Sequence, residues 1–277
     1  MSGQIVFIIW RESVEAMLVI GILAAWLRQS GPAATGAARY LWGGVLAGLA
    51  LAVALAWAIY DLAAILPPAA FDWFTVAMMA VAASLIVQMV FWMRAHGARL
   101  ARSLHRELSQ AAVARHWWGV FLLAMLAVAR EGSETVIFLY GMLSAGASGA
   151  LAGAVALGLI LALATYGLLQ LGGRVLSWRL FFRFTEVTLL ALGAALAVGV
   201  ADKLIALGVL PYTQALWDMS AVLDDSGRLG GIVSALTGYR AAPDRVIVAV
   251  WGLYWGTIAL MLRGQNRRLS HAATAAE

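Results

Sequence analysis

The stretch Arg130-Glu131-Gly132-Ser133-Glu134 lies near the middle of an apolar run from Trp117 to Leu143. A run of that length crosses a bilayer as a helix, because about 20 residues rising 1.5 Å each cover the hydrocarbon core. A charge at the centre of such a helix costs roughly 2.5–3.5 kcal/mol on insertion scales, so a cluster of them requires a compensating role. The pattern occurs once more, as Arg11-Glu12-Ser13-Val14-Glu15 in the first apolar segment. The remainder of the chain reads as a scaffold that brings the two pentads together.

The composition agrees with that reading. Of 277 residues 63% are hydrophobic and 12% charged, with a mean hydropathy of +0.87, which is the signature of an all-α polytopic membrane protein. There is no cysteine, and the four histidines (His96, His105, His116, His271) fall in polar connectors or the tail. Thiolate and imidazole metal sites at bilayer depth are thereby excluded. Met1 to Ile9 contains no basic residue, so the first apolar segment is expected to remain as a span and not to act as a cleaved signal.

Seven apolar segments follow one another: Ile5–Leu27, Leu41–Tyr60, Trp73–Met93, Trp117–Leu143, Leu151–Leu171, Phe184–Ala201 and Val246–Leu262. Tyr40, Trp42, Tyr60, Trp73, Trp92, Trp117 and Trp118 lie near their ends, where interfacial anchors belong. Thirteen of the 19 Lys and Arg residues fall in three connectors and the tail that share one side. The positive-inside rule makes that side cytoplasmic, giving an outer N-terminus and an inner C-terminus. All seven aspartates then lie on the outer side, although they played no part in the assignment. The net charge of +5 is thus an orientation signal, not a nucleic-acid footprint.

This predicts one transmembrane domain, 1–277, with an inverted repeat of two three-helix units plus one C-terminal helix. Repeat one covers about 4–93, a basic cytoplasmic connector 94–116, repeat two about 117–208, an outer connector 209–243, and the last helix and tail 244–277. The basic connector is expected to be helical, against anionic lipid headgroups. The outer connector is expected to be an ordered cap, a short amphipathic element or a solvated loop. Gly44 with Gly48, and Gly149 with Gly153, are spaced for close helix contact.

On a helix, residues three and four apart share a face, so Glu12 and Glu15 point together and Arg11 reaches Glu15; Arg130, Glu131 and Glu134 repeat the arrangement. The inverted repeat would gather four carboxylates and two guanidiniums, a formal charge of about −2 that low dielectric punishes unless a cation or protons offset it. Carboxylate oxygens suit ferric or ferrous iron, manganese, magnesium or calcium better than copper(I). The arginines are then donors that hold the carboxylates in orientation. The structural alternative, a staple between two helices, accounts poorly for a duplicated motif with one unpaired carboxylate per copy. Two further readings stay open: a proton-coupled transporter of another divalent cation or solute, and an intramembrane enzyme using Ser13 or Ser133. Glu186 is a candidate exit-side ligand or a residue reaching headgroup water, and Asp218, Asp224 and Asp225 are candidate outer carboxylates.

Two Arg-Glu-x-x-Glu motifs in the first and fourth of seven spans resemble those of the high-affinity iron permease family, of the fungal oxidase-coupled and bacterial EfeU and FtrC type. Phe181-Phe182 leading into Thr185, and Leu216-Trp217-Asp218 followed by Leu236-Thr237-Gly238-Tyr239, are similar to the family's sixth-to-seventh span region. The commonest family motif has Gly-Leu between the glutamates, where this chain has Ser13-Val14 and Gly132-Ser133. The resemblance implies a transporter and not an enzyme, in a bacterial inner membrane, with iron ion as substrate and no permanently bound cofactor. It implies metal contact by Glu12, Glu15, Glu131 and Glu134 with Arg11 and Arg130 in support. It also implies separate periplasmic iron-binding or oxidase partners of copper oxidase, cupredoxin or peroxidase type, with membrane lipid around the protein and no nucleic acid.

Overall fold

The computed structural model describes residues 3–29, 36–113, 117–144, 151–170 and 178–274. They form eight helices: α1 (Gly3–Gln29), α2 (Ala37–Ile65), α3 (Pro68–Val113), α4 (Trp118–Ser144), α5 (Leu151–Gln170), α6 (Trp178–Ala206), α7 (Arg228–Thr237) and α8 (Arg245–Thr274). Helices dominate because a lipid-facing backbone has no water to bond and must satisfy its own polar groups. The boundaries follow local chemistry. Leu66 is extended ahead of Pro67 and ends α2, and Pro68 opens α3 at a position where its missing N–H costs nothing. Asp244 caps α8, accepting the Ile247 N–H at 2.7 Å.

Each of the seven predicted segments falls on one of α1 to α6 or α8, and α7 is the short element inside the outer connector. Among the described residues, five helices are long and apolar enough to cross a membrane: α2, the first 28 residues of α3, α5, α6 and α8. The two outside that set, α1 and α4, are those that carry the pentads. The basic connector is not a separate piece, because α3 runs without a break for 46 residues to Val113.

The described chain divides into two compact units, Met1–Phe74 with His96–Thr185, and Thr75–Ala95 with Glu186–Glu277. In the first, α1 and α4 pack antiparallel. Leu23, Trp26 and Leu27 at one end of α1 meet Val120, Ala124 and Val128 of α4. At the other end Ile5 and Ile9 meet Leu139. Each of these two helices has a parallel companion held at close range by small residues. A Cβ on Gly48 of α2 would lie 2.7 Å from the Met125 carbonyl oxygen and 2.8 Å from the Val128 Cβ. On α5, a Cβ on Gly158 would lie 2.7 Å from the Ile9 Cβ and 3.0 Å from the Val6 carbonyl oxygen.

The two contacts share one register through their first two small residues. Val6, Ile9 and Arg11 on α1 correspond to Met125, Val128 and Arg130 on α4, a shift of 119 positions. Gly44, Gly48 and Ala52 on α2 correspond to Ala154, Gly158 and Ala162 on α5, a shift of 110. Gly44 packs against the Phe121 backbone and Ala124, and Ala154 against Ile5. Ala52 faces Gly132, and Ala162 clusters with Val14. The small-residue contact of α5 is therefore made by Ala154 and Gly158. Gly153 is exposed, and Gly149 lies outside the described residues.

In the second unit α8 packs on α6 and α3. The Tyr254 hydroxyl donates to the Leu190 carbonyl at 2.8 Å across the space left by Gly193, and Gln265 Nε2 donates to the Phe91 carbonyl at 2.9 Å. Gly238, in the left-handed region at φ 73°, terminates α7 with its N–H bonded to the Ser234 carbonyl.

Candidate metal centre

Helical spacing sets the local geometry of each pentad. Arg11 is 0% exposed and divides its guanidinium between neighbours on its own helix, Nη1 donating to Glu12 Oε1 at 2.6 Å and Nη2 forming an ion pair with Glu15 Oε1 at 2.5 Å. The planar fork can serve both at once, one residue and one turn away. Arg130 is 41% exposed and donates through Nε to Glu134 Oε1 at 3.0 Å. The motifs are alike in sequence and unlike in burial.

Because α1 and α4 are antiparallel and in contact, the pentads face each other. Glu12, Glu15 and Glu131 each offer a carboxylate oxygen, and these oxygens lie within 4.8 Å of one another. Glu134 stands outside that group, although its charge interacts with Glu12, Glu15 and Glu131. The structure thus brings three of the four expected carboxylates to one point and holds the fourth beside it on Arg130.

The acceptors are under-used. Glu12 Oε2, Glu131 Oε2 and Glu134 Oε2 are buried and have no hydrogen-bond partner among the described residues. Leaving such atoms unsatisfied costs about 1–3 kcal/mol each, more when charged. A hard cation among the carboxylates would remove the deficit and the like-charge repulsion together.

Two hydroxyls beside the second pentad are engaged. Ser133 Oγ donates to the Arg130 carbonyl at 2.8 Å, and Thr135 Oγ1 to the Glu131 carbonyl at 2.8 Å. Both are backbone-bonded within α4, as hydroxyls in apolar helices commonly are. Sequence reasoning missed two contributors. Trp10 Nε1, next to Arg11, donates to Thr165 Oγ1 on α5 at 2.9 Å and fixes the rotation of α1. Gly132 inside the second pentad faces Ala52, a Cβ there approaching the Ala52 Cβ to 2.5 Å. The only available signal for Thr165 was a hydroxyl in an apolar span.

The remaining candidates sit in the second unit. Glu186 on α6 pairs with Arg94 on α3, both partly exposed. Asp218 accepts the Ser220 N–H at 2.9 Å, and Asp224 accepts the Ser226 N–H at 2.9 Å and its hydroxyl at 2.7 Å. Side-chain and then backbone hydrogen bonds from these serines hold both carboxyls below their ordinary range. Asp225 lies 3.7 Å from Arg240, which also pairs with Asp202. The three candidate aspartates, Asp218, Asp224 and Asp225, are thus used in turns or ion pairs.

The model of the Iron permease FTR1 family matches residues 3–263. The chain is 32% identical over 265 residues to the ferrous iron permease EfeU of Escherichia coli O6:K15:H31 (strain 536 / UPEC), covering 89% of this chain and 90% of that protein. It is 30% identical over 251 residues to the ferrous iron permease EfeU of Yersinia pestis, covering 89% and 88%. No solved structure matches the chain.

Proposed function

The chain belongs to the iron permease FTR1 family, and we propose from that premise that it carries iron across the inner membrane of a bacterium through a site made by its two Arg-Glu-x-x-Glu pentads. It is a multi-pass membrane protein, and its family is one of transporters whose substrate is the iron ion. The observation that supports the site is the convergence of Glu12, Glu15 and Glu131, from two antiparallel helices, on one point within 4.8 Å.

In this reading the glutamates bind the metal and the arginines hold the glutamates. Arg11 keeps Glu12 and Glu15 in fixed orientation from one side, and Glu131 closes the site from the other. Glu134, held one turn along by Arg130, supplies the fourth carboxylate. The shortfall of positive charge attracts the cation, while the two guanidiniums keep it from binding too tightly to leave. Seven crossings with the N-terminus outside make α1 and α4 the leading helices of an inverted repeat. The small-residue contacts tie α1 to α5 and α4 to α2, so each tied pair carries one half of the site. Parting the pairs on one side and then the other would open the site alternately to each face.

Carboxylate ligands suit Fe³⁺, while the relatives are named as ferrous permeases. Oxidation of Fe²⁺ at the outer face by a partner reconciles the two. With no cysteine, and with its histidines in connectors and the tail, the chain leaves that step to a periplasmic copper oxidase, cupredoxin-type or peroxidase-type protein. Iron is cargo in this account, and no permanently bound cofactor is called for.

Uptake of radioactive iron tests the reading, with manganese and a pH gradient alone as comparisons. Glu131→Ala and Glu12→Ala should insert normally and lose iron uptake. Wild-type uptake by either well-inserted variant would sink the mechanism.

A further inference from the structure

Between α6 and α8 the chain is not a span, yet it exposes Tyr212, Leu216, Trp217, Met219, Val222 and Leu229, the last 74% exposed. Each such side chain forgoes about 1.5–3 kcal/mol if it stays in water, and contiguous patches of them mark contact with lipid or protein.

Contacts with the flanking spans set the depth of this segment. Gly238, which caps α7, is seated on α6: a Cβ there would lie 3.1 Å from Ala194 O, Ala195 Cα and Val198 Cγ2. Those residues come four to eight positions before Asp202. At 1.5 Å per residue the Gly238 turn therefore sits about 6–12 Å farther into α6 than that aspartate. On the other flank Trp251 Nε1 donates to the Thr237 carbonyl at 3.3 Å. Trp251 is almost two turns inside the span that starts at Arg245. Two residues after Gly238 the Arg240 guanidinium reaches back to pair with Asp202 and approaches Asp225 at 3.7 Å. The segment descends below its own ion pairs.

The surface presented at that depth is apolar. On α7, Leu229, Ile232 and Val233 are exposed at the i, i+3, i+4 spacing of one helix face. Beside them is a cavity of about 400 Å³ whose walls include Trp217, Met219, Val233, Val248 and Trp251, with Arg240 the one charged residue in its lining. Its α8 wall ends in Trp251, which is itself 44% exposed on a helix long and apolar enough to span.

We infer that the outer connector is re-entrant in the outer leaflet, with the Leu229–Ile232–Val233 face of α7 lying against phospholipid acyl chains and the adjoining cavity seating one acyl chain. The Asp202–Arg240–Asp225 network stays at headgroup level, where charge is cheap. This rests on the reading of α6 and α8 as spans with their connector outside, and not on the iron site.

The absence of cysteine makes the test clean, since one introduced thiol is unique. Full-length Val233→Cys protein, labelled with a small environment-sensitive fluorophore, is reconstituted in phosphatidylcholine vesicles. Bromine at mid-chain of the lipid should quench most of its fluorescence, and added iodide should quench little. Ile232→Cys should behave alike, whereas Ser226→Cys, in the turn beside Asp224, should respond to iodide and little to bromine. Iodide quenching at Val233 and Ile232 equal to that at Ser226, without loss to brominated lipid, would overturn the inference and leave the face to a soluble partner. Iron uptake by the same labelled vesicles reports separately on transport, so either reading can fail alone.

Discussion

Glu131 on α4 and Glu12 on α1 stand 119 positions apart in the chain, yet each places a carboxylate oxygen within 4.8 Å of the other's and of one from Glu15. Like charges at that separation repel strongly in a low dielectric, and Arg11 is the buried guanidinium hydrogen-bonded into the group. In the proposed reading a bound cation would offset that repulsion.

Glu131→Gln should therefore stabilise the protein while disabling it. The amide keeps the shape, removes one charge, and should raise metal-free stability by about 1–3 kcal/mol. Thermal unfolding in detergent should shift upward as iron uptake is lost. A lowered melting temperature would mean that Glu131 is held by contacts other than the cluster.

The two arginines should not be equally sensitive to lysine. Arg11→Lys cannot reach Glu12 and Glu15 with two separate nitrogens, so it should reduce iron uptake by at least roughly tenfold, the cost of about one hydrogen bond to a charge. Arg130→Lys loses a bond at an exposed side chain and should be milder. Equal uptake in the two variants would remove orientation from the arginines' role.

Gly48→Ala and Gly158→Ala should both weaken the protein, because the new Cβ would lie 2.7 Å from the Met125 carbonyl oxygen in one case and from the Ile9 Cβ in the other. Overpacking of this kind costs about 1–3 kcal/mol. Gly167→Ala and Gly256→Ala, with nothing within 4 Å, serve as neutral controls. The comparison is made by thermal stability and by the fraction recovered as monodisperse protein.

Glu186→Gln should leave iron uptake near wild type, since that carboxylate is already engaged by Arg94 and both are partly exposed. An exposed pair of this kind contributes at most about 1 kcal/mol. A loss of uptake comparable to that of Glu12→Ala would make Glu186 an exit-side ligand.

The turn at Asp224 should loosen in acid. Hydrogen bonds from Ser226 depress the Asp224 pKa in the folded state. Its contribution is thus present above the unfolded pKa of about 3.9 and lost as pH falls through the lower folded value. Exchange protection of the Ser226 amide should fall below that pH, and Asp224→Ala should remove the dependence.

Sequence alone determined what is local. Hydropathy over 20 residues located every long apolar helix, because burial in lipid depends on the segment and not on its neighbours. Helical spacing determined that Arg11 reaches Glu15 and Arg130 reaches Glu134. The tertiary structure decided what depends on the rotation and register of one helix against another. It chose Glu12, Glu15 and Glu131 as the converging group, seated α5 through Gly158 and Ala154, tied Glu186 to Arg94, and seated the Gly238 turn on α6. Those outcomes turn on single small residues meeting far along the chain. A one-residue change of register swings a helix face by about 100° while leaving its hydropathy unchanged.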